Sequence, residues 1–324
     1  PFEKAHFRAG QFETTARFKL ATFDHVSFTG TRFDERFYFD QVTVPEKVSL
    51  QKTAVGELAS FEDINLAAET CCIDLAQSVI PAGRLALPEE GTLVYDLTDA
   101  TLGDVNLETD DPPPDLIKHY RFAYTTFQGF DFGVYRDALH QVNWRLHTVI
   151  DVSELDPRAY PPAASDREST YLKAKNGANA IGDTKAAAEF FRREMLARRD
   201  QYVLTARDWS EGLQTRVTAV GRWSANTLLN VTAGYGERPS RVIVVSVGTI
   251  IGFAVIFAAL QSSPLYDTPI GYLVLSLQSF ITLVLGGAED AGGPWIRLLA
   301  QIEGFVGAFL IALFVFTLTR SIHR

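Results

Sequence analysis

Large apolar side chains recur every five positions at the start of the chain: Phe7, Phe12, then Phe18 after one inserted residue, Phe23, Phe28 and Phe33. Two residues before each stands a smaller one, at Ala5, Gly10, Ala16, Ala21, Val26 and Thr31. A five-residue period belongs neither to a helix, with 3.6 residues per turn, nor to a strand, whose faces alternate. It fits a coil in which one residue of every five points to an axis, so that stacked coils bury a phenylalanine column behind polar outer positions. Shorter echoes occur at Ala100–Leu102 with Val105–Leu107 and at Thr125–Phe127 with Phe130–Phe132. The pattern therefore predicts a repeat domain over residues 1–150, with insertions between about 41 and 95. The repeat is already under way at Pro1, so a segment upstream of it is expected.

Two proline-bearing breaks follow, Asp110–Asp115 and Pro157–Ser165, neither compatible with a helix interior. Between them the aromatic-rich stretch Tyr120–Asp151 reads as a last coil and a short helix. Residues 151–233 read as a helical linker. Within it, residues 171–202 carry two helical patterns separated by Gly182-Asp183, with Asp183 placed to cap the second and Ala186, Phe190, Phe191, Glu194 and Arg198 at helical intervals. This hairpin is similar to one tetratricopeptide unit. A lone unit cannot bury its apolar face, so it should pack on the repeat domain or on a neighbouring subunit. Arg192, Arg193, Arg198 and Arg199 form a basic face that is expected to be solvated or salt-bridged.

At the C-terminus the apolar pattern changes scale. Val242–Leu260 has no charge in 19 residues, and a second apolar stretch runs from about Leu298 to Thr319; about 20 such residues cross a bilayer core. Arg238 and Arg241 bound the first, and Arg320, His323 and Arg324 close the second, so both basic ends should be cytoplasmic in a multi-pass inner (plasma) membrane protein. The connection carries Asp267, Glu289 and Asp290 against Arg297, one positive charge minus three negative, which suits the outer side. Pro269–Ala288 is also uncharged, over 20 residues, but a third crossing would put the two basic ends on opposite sides. It ends at Gly286-Gly287 followed by acids, where a helix stops. Non-helical backbone at membrane depth is tolerated only when buried in protein or lining water, so a re-entrant half-helix followed by a glycine turn implies a pore. Gly234-Tyr235-Gly236 lies before the membrane on the inside and reads as a hinge leading into the bilayer.

The net charge of −9 excludes a nucleic-acid surface and offers no polybasic lipid patch. Cys71 and Cys72 are adjacent, which disfavours a disulfide, and no Cys/His spacing resembles a zinc site, so buried, reduced thiols in a cytoplasmic region are expected. With no metal spacing among the six histidines, no phosphate loop and no nucleophile elbow, an enzyme, a metal and a cofactor are not expected.

The order helix, re-entrant helix, loop, helix over residues 234–324 resembles the two-transmembrane potassium-channel superfamily. Together with the five-residue repeat, the stretch GDTKAAAEFFRREMLARR at 182–199 and GYGERPSR at 234–241, the chain is similar to the prokaryotic pentapeptide-repeat ion channels. The resemblance implies a β + α membrane protein: a right-handed, four-sided β-helix, a helical hairpin linker, and a two-span pore domain with a re-entrant pore helix. It also implies a homotetramer conducting monovalent cations, with lipid around its spans. Its filter would be Thr282, Leu283, Val284, Leu285 and Gly286, of which only Thr282 and Gly286 match a Thr-Val-Gly-Tyr-Gly run; Val284 replaces the inner glycine and Leu285 the tyrosine. Glu289 and Asp290 would make the outer mouth negative. Glu303, the one ionisable residue in the second span, would support the re-entrant helix, Gly304 and Gly307 would bend or pack the inner helix, and Ala312, Phe316 and Leu318 are candidates for an apolar gate. An unidentified ligand or protein at the cytoplasmic domain is expected. The competing reading is a non-conducting, membrane-tethered scaffold whose repeats bind a protein partner.

Overall fold

The five-residue repeat builds a parallel β-solenoid of about 5 turns. The computed structural model describes residues 4–107, 113–152, 162–260, 268–285 and 294–322. The first ladder of paired strands stacks Ala5–His6, Val26–Ser27, Lys47–Ser49, Thr70–Asp74, Thr92–Asp96 and Tyr120–Arg121. A second ladder runs from Gln11–Phe12 through Arg32–Phe33, Ala54–Val55, Val79 and Thr101 to Thr126–Phe127. A third pairs Ala16–Arg17, Phe37–Tyr38 and Ala59–Phe61 with the end of Val79–Leu85, and a fourth joins Thr22, Thr43–Val44 and Asn65–Leu66. All pairings are parallel, as a coil that rises by one strand per turn requires.

The inward positions fill the axis as the period demands. Phe23, Phe28 and Phe33 are buried, and Phe7, Phe12 and Phe18 pack against the same core at its first turn. Rings one turn apart stack, Phe7 on Phe28 at 5.0 Å and Phe12 on Phe33 at 5.1 Å. The coil also passes without a break through residues 41–95, which corrects the expectation of an interruption there. Leu50, Val55, Phe61, Leu75, Ile80 and Leu85 continue the column, and longer corners, not separate insertions, absorb the extra residues near 66–70 and 86–92.

One corner repeats in every turn. Ala9, Gly30, Lys52, Gln77, Asp99 and Tyr124 all take left-handed φ, between 49° and 71°. For a residue with a Cβ this conformation costs about 1–2 kcal/mol. Hydrogen bonds between turns hold it: the N–H groups of Gly30, Lys52, Gln77 and Asp99 donate to the carbonyls of Gln51, Ala76, Thr98 and Ala123 at 2.7–2.8 Å. Just inside the corner, buried hydroxyls satisfy the turn carbonyls: Thr53 and Ser78 both donate to Leu50 O at 2.8 Å, and Thr125 donates to Leu97 O at 2.8 Å. Cys71 and Cys72 are buried and form no disulfide among the described residues, and burial pushes Cys71 up to about 12.

A short helix α1 (Arg136–Gln141) follows the last strands, and the hairpin α2 (Ala164–Ala180) and α3 (Thr184–Arg207) then closes the end of the solenoid. Asp183 caps α3 by accepting the Ala186 N–H at 3.0 Å. Ala174, Ala178, Ala186 and Phe190 join the solenoid core. Gly177 makes the contact close; a Cβ there would lie 2.5 Å from Phe127 Cβ. The expected basic face is largely salt-bridged: Arg192 to Glu189, Arg198 to Glu168 and Glu194, Arg199 to Asp200. Buried Glu194 is also bonded by Lys175 at 2.7 Å.

Beside this hairpin, His147 Nδ1 lies 2.6 Å from Tyr171 OH, a hydrogen bond whose direction is set by the imidazole tautomer. Burial, then Arg167, Arg145 and Arg193, lower the His147 pKa to about 4 from the usual 6.5. The unfolded chain therefore takes up a proton that the folded chain refuses between pH 6.5 and about 4. Stability of this region is expected to fall as pH drops through that window and to level off below it. Thermal unfolding of His147→Gln at a series of pH values should lose this component; an unchanged slope would reject the assignment.

The chain divides into two compact units, Pro1–Arg207 and Asp208–Arg324, so the hairpin belongs with the solenoid and the boundary falls after Arg207. The second unit contains α4 (Leu213–Ala233), α5 (Pro239–Ala259), α6 (Pro269–Leu285) and α7 (Pro294–Ile322). Two of these are long and apolar enough to cross a membrane, Pro239–Ala259 and Pro294–Thr319. Both begin with proline at the first helical position, where its missing N–H costs nothing.

Candidate functional site

In the second unit the shorter apolar helix α6 packs against both span-length helices. At 17 residues it is roughly 25 Å long at 1.5 Å per residue, less than the ~30 Å of a hydrocarbon core. Phe257, Tyr272, Leu275 and Ala300 form one apolar cluster, and Ala233, Val242, Phe280 and Leu310 another.

Polar contacts fix α6 in place. The Ser276 hydroxyl lies 2.7 Å from Ile250 O of α5 and is also hydrogen-bonded to Glu303 Oε1 of α7. A single serine thus ties three helices together at one level. Ser276, Ser279 and Glu303 are fully buried, and Glu303 Oε2 has no hydrogen-bond partner among the described residues. One turn further along α7, Gly307 lets the helices meet at backbone distance. A Cβ built on Gly307 would stand 2.1 Å from Phe280 O.

The residues singled out in the sequence fall into three groups. Glu303, Gly304 and Gly307 share the face of α7 that is buried in the unit, and Glu303 and Gly307 touch α6 directly. Ala312, Phe316 and Leu318 lie further along α7 and are exposed in the single chain. Thr282, Leu283, Val284 and Leu285 form the last turn of α6; Gly286, Glu289 and Asp290 lie outside the described residues. The backbone at 282–285 is therefore helical, not an extended run of carbonyls. The last four carbonyls of a helix lack intrahelical donors and carry the negative end of its dipole, and α6 has no basic residue in that turn.

Ser276 and Ser279 were not among the residues singled out, although Ser276, Gln278 and Ser279 stand out as polar positions within an otherwise apolar run. The Gly234–Gly236 segment is also more ordered than a hinge. Gly234, Tyr235 and Gly236 all have left-handed φ, Tyr235 OH is 2.8 Å from Asn226 Oδ1, and Arg241 Nη1 donates to Asn230 O at 3.2 Å. These bonds lock α4 to the start of α5. No protein-family model, no curated protein and no solved structure matches the chain.

Proposed function

We propose that the chain is the subunit of a homotetrameric cation channel, in which α5 and α7 span the membrane, α6 re-enters it, and the solenoid forms a cytoplasmic domain. The observation that carries this reading is the seating of α6. A helix too short to span is held between two that can, by Ser276, by Glu303 and by the backbone contact at Gly307. A soluble unit has no need of an uncharged helix of this length between two span-length neighbours. Four α6 C-terminal ends around one axis would present unpaired carbonyls and the negative ends of four dipoles to a permeating ion, which favours cations. Glu289 and Asp290 would add negative charge at the outer mouth, and Phe316 with Ala312 would supply an apolar constriction. Val284 and Leu285 remove the glycine and tyrosine of a potassium filter, so discrimination of potassium from sodium should be weak.

The helical backbone at Thr282–Leu285 gives specific support to the second reading, a tethered scaffold that does not conduct and whose solenoid binds a protein partner. Purified protein in planar bilayers under potassium, sodium and chloride gradients separates the two. A reversal potential that follows the cation gradients supports the channel. A silent bilayer from verified tetramers turns the assignment to the scaffold.

A further inference from the structure

Three arginines from separate segments gather about the His147–Tyr171 pair at the hairpin α2–α3. After α1 the backbone turns through two left-handed residues, Asn143 at φ 53° and Trp144 at φ 59°. Trp144 packs on Phe190 of α3 at 5.3 Å and His147 on Tyr171 of α2, so this segment touches both helices. Arg145 lies on it and is exposed, and its side chain has no hydrogen bond or ion pair among the described residues. Arg167 stands one turn before Tyr171 on α2, and Arg193 stands three residues after Phe190 on α3, where it donates to Asn143 O. All three guanidinium groups act on His147 and on Tyr171.

The cluster does not balance its own charge. Arg193 has no ion pair among the described residues; Glu189, which acts on it, is bonded to Arg192 at 2.9 Å. Arg167 meets Asp200 at 3.3 Å, but Arg199 shares that carboxylate at 3.7 Å. The arginines at 145, 167, 192, 193 and 199 thus stand against Glu189 and Asp200, five positive charges minus two, or +3, in a chain whose net charge is −9. The Nε atoms of Arg167 and Arg193 are buried and have no hydrogen-bond partner among the described residues. Buried donors left unmet are costly, and guanidinium groups held together repel one another, so this is the arrangement of a site whose counter-ion comes from outside. Planar guanidinium forks match the oxygens of a phosphate group. Trp144 and Tyr171 are buried and offer no face on which a nucleotide base could stack, so the ligand is small.

We propose that Arg145, Arg167 and Arg193 form a binding site for a doubly charged phosphate group, as inorganic phosphate or a small phosphomonoester, with Arg145 on its solvent side. Bound there, the anion would pin the 143–147 segment to both helices that close the solenoid. The site lies within the first unit and stands whether or not the second conducts ions.

The test is calorimetric titration of the full-length protein in detergent with inorganic phosphate and with glycerol 3-phosphate, at an ionic strength held constant with chloride. Saturable binding is expected. Glycerol 3-phosphate binding as well as phosphate would support the phosphomonoester form of the proposal, and phosphate alone the free ion. Arg145→Gln, which removes no bond of the fold, and Arg193→Gln should each weaken binding about tenfold or more, the worth of one charge-assisted hydrogen bond. Asp200→Asn removes the carboxylate that competes for Arg167 and should tighten binding severalfold, although it deletes two ion pairs of the fold. Arg207→Gln, roughly 20 Å further along α3, should leave binding unchanged. Heat no greater than that of a chloride blank would overturn the proposal. Equal weakening by Arg207→Gln and Arg145→Gln would overturn it as a general effect of charge, and weaker binding by Asp200→Asn would assign the arginines to structure instead.

Discussion

Gly307→Ala is expected to force α6 and α7 apart. The added methyl would stand 2.1 Å from Phe280 O, 2.9 Å from Phe280 C and 3.0 Å from the Phe280 ring. The nearest of these atoms is backbone, which cannot rotate away as a side chain would. Overpacking a well-filled seam costs about 1–3 kcal/mol, and the upper end applies when a helix axis must shift. The movement would also stretch the Ser276–Glu303 contact one turn away and leave a buried carboxylate without its partner, a further cost. Gly248→Ala and Gly252→Ala on α5 provide the internal control. Nothing lies within 4 Å of a Cβ at either position, so these substitutions should be neutral or gain up to about 1 kcal/mol of helix propensity. Thermal unfolding in detergent should show Gly307→Ala well below the parent and the two control variants at or above it. Equal midpoints for Gly307→Ala and Gly252→Ala would mean that α6 and α7 do not cross at backbone distance.

The ease with which each region could be read from sequence followed the physics of its signal. The first turns were visible because their inward residue is nearly always phenylalanine at a fixed interval, from Phe7 to Phe33. Between 41 and 95 the same inward slots are filled by Leu50, Val55, Leu75 and Ile80, and the slot two residues earlier holds Val48 and Ile73 on one face and Thr53 and Ser78 on the next. Aliphatic residues with corners of unequal length leave no period to detect, although the ladder is unbroken. Left-handed corners at Lys52, Gln77 and Asp99 were hidden for a different reason: hydrogen bonds between turns impose that conformation on residues that do not prefer it alone. In the second unit, length and apolarity marked α5 and α7, and the rarity of a carboxylate in such a helix marked Glu303. Its partner Ser276 carries a weaker signal, because a serine in an apolar helix can bond to its own backbone and needs no partner on another helix.

Phe190→Ala is expected to uncap the solenoid. Its ring is fully buried, 4.7 Å from Phe132, 5.3 Å from Trp144 and 6.5 Å from Tyr171, so it joins the last turn, the segment after α1 and both hairpin helices. Truncating such a ring costs about 3–5 kcal/mol through lost burial and the cavity left behind. How that loss spreads is set by the one-dimensional character of a solenoid, in which each turn contacts only its neighbours and the end turn depends on its cap. Hydrogen exchange should therefore rise first at Tyr120–Arg121 and Thr126–Phe127, whose strand partners among the described residues lie on the preceding turn, and least at Val26–Ser27 and Arg32–Phe33. Glu194 gives a second readout. Its carboxylate is buried beside Phe190 on α3 and paired with Lys175 and Arg198, so loosening the hairpin would expose an ion pair that is costly to bury and has little strength in water. Detachment should therefore be cooperative, with α2 and α3 losing protection together. A uniform loss across all turns would instead mean that the solenoid and hairpin fold as one indivisible unit, and an unchanged exchange pattern would mean that Phe190 is not the link between them.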